Sequence, residues 1–420
     1  MLANKYSAVY NQYIILLIKI AKLREDNYYM GIEHLYVLIK PASSLCNMKC
    51  RYCFYHDLSE SRNTRSYGIM TGETVDRLID NAVDSADKIV SFAFQGGEPT
   101  LAGLDYFRYF IEYAGMINRK SNKNLQINYA IQTNGININD EFAEFFRKNN
   151  FLVGLSLDGV KETHDFLRVD SHDAGTHAKI IKTAELFDKH KVEYNILTVI
   201  TAQTAKHIGK IYNYYKKRGF LYLQFIPCLE ALEETPFNKI YSLTPELYEK
   251  FLINLFRLWY DDFMSGYYIS VRFFDNTVRT AAGYPCEQCG TTGTCPGQFV
   301  VESDGGVFPC DFYCVDNWKT GDIFNMTFKE LNNSQNMQRF RETSDYKKYS
   351  DTKTETEAEK CASCKVYYLC KGGCRRDRDN KKDGTAGGNI YCRALYNFYS
   401  FAEPYLKNIV AMMIKNKGFS

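Results

Sequence analysis

The chain has 420 residues, of which 45% are hydrophobic and 24% are charged, and these values are normal for a globular protein with a large core. Its 52 basic and 49 acidic residues leave a net charge of only +3, so nothing indicates nucleic-acid binding. The one signal-like stretch, Tyr13 to Leu23, is too short to span a bilayer and carries two lysines, which excludes a secreted or membrane-spanning class.

A regular alternation of strands and helices is predicted for residues 34–270. Residues 1–33 match nothing in this pattern and are expected to be an appendage, with Met30 a candidate for the natural start. From residue 34 onward, apolar runs alternate with helical periodicity, as expected for βα units in a parallel sheet. The predicted fold is α/β, a partial, TIM-like (β/α)6 barrel with its functional groups at the C-terminal ends of the strands. The predicted strands are Leu35 to Lys40, Lys88 to Gln95, Leu125 to Gln132, Leu152 to Leu157, Glu193 to Ile200 and Leu221 to Ile226, and the predicted helices are Gly72 to Ser85, Leu104 to Ile117, Asp140 to Lys148, His177 to His190 and Ala205 to Arg218.

The composition changes after the barrel. Residues 271–394 are rich in Gly and Cys and show little periodicity, and ten of the 14 cysteines lie from Cys286 to Cys392. Such a segment is expected to fold around metal rather than around an apolar core of its own. The remaining residues, 395–420, include a predicted helix from Tyr396 to Ile414 that packs back on the body.

A run of three cysteines follows the first predicted strand. Cys46, Cys50 and Cys53 are spaced C-x3-C-x2-C, which suits three irons of a 4Fe-4S cluster and leaves the fourth iron open to an outside ligand. A disulfide framework is one alternative, but such frameworks are usual in short secreted chains. A zinc site is another, but structural zinc takes four ligands and this run offers three. The run therefore favours an iron-sulfur cluster that has a position for chemistry.

A pair of glycines follows the second predicted strand, in the segment Gln95-Gly96-Gly97-Glu98. Two glycines let the backbone come close to a ligand, and the Glu98 carboxylate can pair with an ammonium group. The alternative is a tight turn that leads into a helix. Because the segment lies one βα unit after the three-cysteine run, we favour the ligand site.

Polar side chains also occur at the ends of later strands. Ser156 lies at the end of the fourth predicted strand and Arg168 follows it. A hydroxyl and a guanidinium group can bind a ribose and a carboxylate, although either residue can instead serve a turn or a cap. After the sixth strand, the segment that ends at Leu229 can line an adenine with its backbone.

Together these motifs resemble the signature of the radical S-adenosylmethionine (radical SAM) enzymes. The resemblance implies that the three-cysteine run holds a cluster whose open iron binds the amino and carboxylate groups of the methionine moiety. It assigns contact with the amino group to Gly97 and its neighbours, whereas Tyr55 and Gln95 are also placed to orient a peptide. The cofactor-binding residues expected on this basis are Tyr52, Tyr55, Gln95, Gly96, Gly97, Glu98, Ser156, Arg168 and Leu229.

The Cys-rich segment resembles the SPASM domain, which carries two auxiliary 4Fe-4S clusters. The resemblance rests on Cys361-x2-Cys364-x5-Cys370-x3-Cys374, on Cys392 after 17 further residues, and on Cys295-x9-Gly305-x4-Cys310 upstream. It assigns one cluster to Cys289, Cys295, Cys310 and Cys374, and the other to Cys361, Cys364, Cys370 and Cys392. Cys286 is a rival to Cys289, and Cys228, Cys286 and Cys314 are otherwise expected to be incidental thiols.

Within that segment, Cys310-Asp311-Phe312-Tyr313 resembles the anaerobic sulfatase-maturating enzymes, as do Ile39 to Ser44 and Cys53 to His56. The resemblance covers about residues 34–400 and implies that a Cys or Ser of a sulfatase peptide is oxidised to Cα-formylglycine, while SAM is cleaved to methionine and 5'-deoxyadenosine. Asp311, otherwise a turn or cap aspartate, would be the general base that takes the thiol or hydroxyl proton. The electron would pass to the auxiliary cluster near Cys310.

The resemblance also implies partners and a location. It predicts a sulfatase polypeptide as substrate, a flavodoxin- or ferredoxin-type electron donor, a monomer, and the cytoplasm of an anaerobic bacterium, with no nucleic-acid or membrane partner. Two other classes stay open. One is a SPASM enzyme that forms thioether or carbon-carbon crosslinks in a ribosomal peptide, and the other is a non-catalytic iron-sulfur or zinc protein. The sequence does not choose between Cys and Ser as the target.

Overall fold

The computed structural model describes residues 32–230, 237–344, 361–379 and 387–417. The predicted appendage lies outside the described residues, except for Ile32 and Glu33, which belong to the first strand. The predicted start at Met30 lies outside them altogether. The described residues form one extended sheet with helices packed on it.

Ten strands form this sheet, in the order β10-β9-β8-β1-β2-β3-β4-β5-β6-β7. Neighbouring strands from β8 through β1 to β7 are parallel, whereas β9 is antiparallel to both of its neighbours. Because β1 pairs with β8 and not with β7, the sheet stays open, as in a partial barrel. The strands are β1 (Ile32–Ile39), β2 (Ala86–Phe94), β3 (Gln126–Thr133), β4 (Leu152–Ser156), β5 (Glu193–Ile200), β6 (Tyr222–Pro227), β7 (Ser270–Val271), β8 (Phe299–Val301), β9 (Gly306–Phe308) and β10 (Gly321–Asp322).

Amphipathic helices connect the strands and bury one face each against the sheet. In the first βα unit, for example, Val37 of β1 and Leu78 of the following helix are fully buried in the same core. The helices are α1 (Phe54–Glu60), α2 (Gly72–Ser85), α3 (Leu104–Ser121), α4 (Asp140–Lys148), α5 (Lys161–Leu167), α6 (His177–His190), α7 (Ala202–Lys206), α8 (Ile208–Arg218), α9 (Pro245–Met264), α10 (Arg272–Ala281), α11 (Phe328–Asn332), α12 (Gln335–Ser344), α13 (Tyr367–Cys370) and α14 (Cys392–Lys417). In the described part of the chain, no helix has the length and apolar character needed to cross a membrane.

The six predicted barrel strands are confirmed, with no end shifted by more than three residues. Three predicted helices have the observed bounds, at Gly72–Ser85, Asp140–Lys148 and His177–His190. The helix predicted from Ala205 to Arg218 is in fact two helices, α7 and α8, because α7 ends at Lys206 and His207 caps the next. These agreements follow from long, regular apolar patterns, which are the strongest signal in a sequence.

The Cys-rich segment contains strands that the sequence did not predict. Strands β8 and β9 have three residues each, too few to show a period. Val301 and Val307 are fully buried and join the same core as the barrel, so this segment extends the barrel sheet and shares its core. The boundary predicted near residue 270 is therefore not marked by a break in the sheet, and the division into domains stays a prediction.

The C-terminal helix packs back on the body, as predicted, although it is longer than expected. Helix α14 lies against α9 and α10, and the ring of Phe398 is 5.7 Å from that of Phe256 and 5.9 Å from that of Phe274. Aromatic pairs at this separation add to the free energy of apolar burial. This layer closes the side of the sheet next to β6 and β7.

Candidate active site

A cavity of about 500 Å³ opens at the C-terminal ends of the barrel strands. Parallel strands end at one edge of their sheet, so the loops after β1 to β6 bring their side chains together there. Every predicted cofactor-binding residue lines this cavity, namely Tyr52, Tyr55, Gln95, Gly96, Gly97, Glu98, Ser156, Arg168 and Leu229. Asp311 lines it too, as do Cys46, Cys50, Cys53, Cys289, Cys295, Cys310, Cys370 and Cys374.

The three-cysteine loop is fixed by backbone hydrogen bonds to the segment after α5. The N–H groups of Lys49 and Arg51 donate to the carbonyl oxygens of Val169 and Leu167 at 2.8 and 2.9 Å. Cys46, Cys50 and Cys53 are free thiols. Iron binds thiolates, so loading this loop with iron must release protons.

Both glycines of the second motif are required by close contacts. Gly97 has φ of +52°, and a Cβ atom there would lie 2.2 Å from the carbonyl oxygen of Leu45 in the three-cysteine loop. Gly96 has φ of +93°, and a Cβ atom there would lie 2.7 Å from Cγ of Lys40. The motif therefore packs directly on the cysteine loop, and the space above Gly96 is taken by the Lys40 side chain.

The carboxylate of Glu98 is fully engaged with the protein. It accepts hydrogen bonds from Thr133 Oγ1 at 2.8 Å, from the Asn134 N–H at 2.7 Å, and from both the N–H and the hydroxyl of Thr100. Burial raises the pKa of this carboxyl, and the hydrogen bonds oppose that shift. Glu98 thus ties the ends of β2 and β3 together, and its pairing with a ligand ammonium stays a prediction.

Asp158 connects two of the predicted cofactor residues, and the sequence analysis did not select it. Its Oδ2 accepts hydrogen bonds from the Tyr52 hydroxyl and from Nε of Arg168 at 2.9 Å, and its Oδ1 accepts from the N–H of Val199 at 2.9 Å. The Arg168 guanidinium also lies over the ring of Tyr52, at 5.5 Å from the centroid. The position of Asp158 two residues after the end of β4 was the signal available, because the loops after strand ends carry functional groups. Ser156 is the last residue of β4, and Leu229 lies two residues after the end of β6.

Asp311 sits in a buried polar network made by distant parts of the chain. Its Oδ2 accepts hydrogen bonds from the Tyr55 hydroxyl at 2.5 Å and from Nε2 of Gln95 at 2.8 Å. Among the described residues, no donor meets hydrogen-bond geometry at its Oδ1, which forms an ion pair with Nζ of Lys40 at 3.2 Å. Lys40 lies 3.9 Å from Glu302. In the sequence, Lys40 lies within the segment from Ile39 to Ser44 without any pattern that indicates its role, and Glu302 is not a defining residue of any motif.

The remaining cysteines fall into two groups. Burial, Asp377 and the thiols of Cys295 and Cys289 raise the pKa of Cys374, and burial and the thiols of Cys374 and Cys295 raise the pKa of Cys310. These four thiols therefore act on one another electrostatically, as expected of the members of one cluster site.

The second group surrounds α13. Burial and the thiols of Cys392, Cys361 and Cys364 raise the pKa of Cys370 to about 12. Cys286 contacts Asn276 and Thr291 through hydrogen bonds. Burial and the thiols of Cys295 and Cys286 raise the pKa of Cys289, so Cys286 stays a rival to Cys289.

The side chains available to hold a metal group here are cysteine thiols, which are the usual ligands of iron-sulfur clusters. Within the described residues, no three His, Cys, Asp or Glu side chains converge on a single metal position.

Comparison with known proteins defines the class. A sequence profile described as the radical SAM superfamily matches residues 41–215, and one described as SPASM, an iron-sulfur cluster-binding domain, matches residues 294–365. With the open sheet and the cavity at its C-terminal edge, these matches identify a radical SAM enzyme with a SPASM domain.

Individual relatives narrow the class. The chain is 48% identical over 374 residues to the cysteine-type anaerobic sulfatase-maturating enzyme of Clostridium perfringens strain 13, and the alignment covers 89% of this chain and 97% of that protein. It is 29% identical over 400 residues to the serine-type anaerobic sulfatase-maturating enzyme of Bacteroides thetaiotaomicron, and that alignment covers 91% of this chain and 93% of the relative. The chain belongs to the family of the anaerobic sulfatase-maturating enzymes.

Solved structures agree with this assignment. The chain superposes with a TM-score of 0.83 and 45% identity on native anSMEcpe with bound AdoMet and Cp18Cys peptide, covering 90% of this chain and 99% of that one. Streptococcus suis SuiB bound to S-adenosylmethionine superposes with a TM-score of 0.54 at 19% identity, covering 86% of this chain and 78% of that one. The SuiB likeness shows a shared fold alone.

Proposed function

We propose that this chain oxidises a cysteine of a sulfatase polypeptide to Cα-formylglycine. The observation that carries the proposal is the Asp311 carboxylate, which follows Cys310 directly, lines the cavity and keeps Oδ1 without a hydrogen-bond donor. A base beside a redox-active cluster is what the oxidation of a thiol needs. The cysteine-type relative at 48% identity favours Cys as the target over Ser, since the serine-type relative is 29% identical.

The cofactors that fit this site are three 4Fe-4S clusters and S-adenosylmethionine. We assign the first cluster to Cys46, Cys50 and Cys53, which line the cavity beside Gly97. The first auxiliary cluster takes Cys289, Cys295, Cys310 and Cys374, and the second takes Cys361, Cys364, Cys370 and Cys392; the mutual effects of these thiols on one another support both sets. Tyr52, Ser156, Arg168 and Leu229 surround the space left for S-adenosylmethionine.

When bound, these groups supply an initiating electron, a radical that removes one hydrogen atom from Cβ of the target, and an acceptor for one electron. The side chains of the protein contribute positioning and proton transfer. Asp311 takes the thiol proton, so the target loses one hydrogen atom, one proton and one electron and becomes a thioaldehyde. Water then hydrolyses the thioaldehyde, which gives the aldehyde and releases hydrogen sulfide. Tyr55 and Gln95 donate hydrogen bonds to Oδ2 of Asp311 and so hold its carboxylate in place for this step.

The partners and the location follow from the chemistry. Low-potential clusters need a reduced flavodoxin or ferredoxin as donor and a reducing cytoplasm, and we propose that the chain works there as a monomer.

The test is anaerobic mass spectrometry of the reconstituted chain with S-adenosylmethionine, a reductant and two sulfatase-motif peptides, one with Cys and one with Ser at the target position. We expect aldehyde from the Cys peptide, with one 5'-deoxyadenosine for each aldehyde. Deoxyadenosine without a change in either peptide would overturn the sulfatase substrate and leave the radical enzyme. The absence of both products, with iron content confirmed, would overturn the enzyme assignment as a whole.

A further inference from the structure

A row of four buried charged side chains ends at Asp311. Arg62, Glu302, Lys40 and Asp311 are 7%, 0%, 1% and 5% exposed. Their charges alternate, and the contacts along the row measure 2.5 Å from Arg62 to Glu302, 3.9 Å from Glu302 to Lys40 and 3.2 Å from Lys40 to Asp311. A buried charge is costly unless it is paired. The row therefore fixes Lys40 between two carboxylates.

The fold prepares a place for the Lys40 side chain. Its N–H donates to the carbonyl oxygen of Val301 at 2.9 Å, so the backbone is held where β1 meets β8. The missing side chain of Gly96 makes room for its stem, because a Cβ atom there would lie 2.7 Å from Cγ and 2.9 Å from Cδ. Its Nζ lies 4.8 Å from the centroid of the Tyr55 ring. Three separate elements thus direct the ammonium group at Asp311.

The two oxygens of Asp311 differ in their surroundings. Oδ2 accepts two hydrogen bonds, from Tyr55 and Gln95, and has little capacity left for a substrate proton. Within the part of the chain that the structure describes, Oδ1 lies 3.2 Å from Nζ of Lys40 and no other donor meets hydrogen-bond geometry there. We propose that Lys40 is a positioning residue for the oxidation: it orients the carboxylate so that Oδ1 faces the target thiol and accepts its proton. This inference rests on the proposed function.

The test compares full-length, anaerobically reconstituted variants. Lys40→Met removes the charge and keeps the apolar stem, and Lys40→Arg keeps the charge. Lys88→Met is the matched control, since Lys88 lies on the outside of β2 with 70% of its side chain exposed. Aldehyde and 5'-deoxyadenosine are measured against the concentration of a Cys peptide, and iron content and the spectra of the reduced clusters check the cofactor sites.

Lys40→Met is expected to lower kcat for aldehyde by about 100-fold, because a misplaced reacting group loses that much. Deoxyadenosine formation and KM for the peptide should stay within about threefold of the wild type, because substrate binding is retained. Deoxyadenosine would then form without matching aldehyde. Lys40→Arg should recover part of the coupling, and Lys88→Met should behave as the wild type.

Three outcomes would overturn the inference. One is a Lys40→Met enzyme that still makes one aldehyde for each deoxyadenosine with kcat close to that of the wild type. A second is the joint loss of iron, deoxyadenosine and aldehyde, which would mean that Lys40 supports the cofactor site instead. The third is an Arg variant no better coupled than the Met variant. If Lys40→Met does not fold, Lys40→Met/Glu302→Gln keeps the row balanced, and the same loss of coupling is expected. Failure of the proposed function is distinct, because the wild type itself would then make no aldehyde.

Discussion

The hydroxyl of Tyr55 donates a 2.5 Å hydrogen bond to Oδ2 of Asp311, although the two residues are 256 positions apart. Tyr55 belongs to the helix that follows the three-cysteine loop, and Asp311 follows β9 in the Cys-rich segment. The pairing of β8 with β1 makes the contact, since it places the Cys-rich segment at the edge of the barrel. The proposed base thereby lies beside the helix that follows the proposed cluster loop.

Asp311→Asn should separate cleavage of S-adenosylmethionine from oxidation of the peptide. An amide keeps the size of the side chain but is no base, so aldehyde formation should fall by about 100-fold or more, while deoxyadenosine formation is largely kept. The measurement is the ratio of the two products under turnover. Asp316→Asn is the control, because Asp316 is exposed and only accepts from the N–H of Asn63. Wild-type levels of aldehyde from Asp311→Asn would remove this residue from the mechanism.

Gly97→Ala should displace the cysteine loop. A β-carbon at φ of +52° would meet the Leu45 carbonyl oxygen at 2.2 Å, so binding of S-adenosylmethionine should be lost and the melting temperature should fall. Gly103→Ala is the matched control. Gly103 has φ of +84° and ψ of 158° but no atom within 4 Å of the added carbon, so it reports only backbone strain, on the order of 1–3 kcal/mol. Equal effects of the two changes would contradict the proposed contact.

Asp158→Asn should weaken binding of S-adenosylmethionine. The amide has no charge to pair with Arg168, and when its oxygen keeps the contacts with Tyr52 and Arg168 its NH2 group faces the N–H of Val199. Hydrogen bonds to charged groups are worth about 1.5–3 kcal/mol, which corresponds to about a 10- to 100-fold rise in Kd. Equilibrium binding of S-adenosylmethionine to the reconstituted enzyme measures this. Asp105→Asn serves as control, since that carboxylate is 94% exposed and pairs with Arg108 on the surface. An unchanged Kd in Asp158→Asn would show that the binding of S-adenosylmethionine does not depend on the contact between Asp158 and Arg168.

Single alanine variants should sort the auxiliary ligands into the two proposed sets. Cys374→Ala should lose the same cluster spectrum as Cys310→Ala, and Cys392→Ala the same as Cys370→Ala, because the members of each set lie together. Electron paramagnetic resonance and iron content follow the loss, and Cys228→Ala should keep all of its iron. A Cys374→Ala spectrum that matches Cys370→Ala would exchange the assignments.

His164 should make the folded state sensitive to mild acid. Burial lowers its pKa well below the usual value, and the charges of Arg168, His177 and Lys161 lower it further. Its Nδ1 accepts from the N–H of Asp158 at 3.2 Å and its Nε2 contacts Thr176.

The direction of the effect follows from proton binding. Below about pH 6.5 an unfolded His binds a proton that the folded state does not. The stability from this group is therefore present above that pH and is lost as the pH falls. Gln is neutral and can replace both contacts. The melting temperature of His164→Gln should therefore fall less than that of the wild type when the pH is lowered from about 7.5 to about 5.5. Parallel curves for the wild type and the variant would refute the prediction, and His172→Gln on the surface should follow the wild type.

Local patterns were enough to find the barrel and the motif residues. The apolar periods of β1 to β6 are long, and the cysteine and glycine spacings lie within short segments, so each can be recognised without knowledge of the fold. The predicted cofactor residues also line one cavity, because parallel strands necessarily end at the same edge.

The sequence by itself thus determined the class of fold, the cysteines available for iron and most residues that surround the cofactor. The tertiary structure decided the partners: Asp158 for Tyr52 and Arg168, and Lys40 for Asp311. Asp158 and Arg168 are 10 positions apart in the sequence, whereas Lys40 and Asp311 are 271 positions apart. The contact between Lys40 and Asp311 depends on the three-residue strands β8 and β9, which show no period. Both contacts also reflect the need of each buried charge for an opposite one, which is satisfied only when the whole chain is folded.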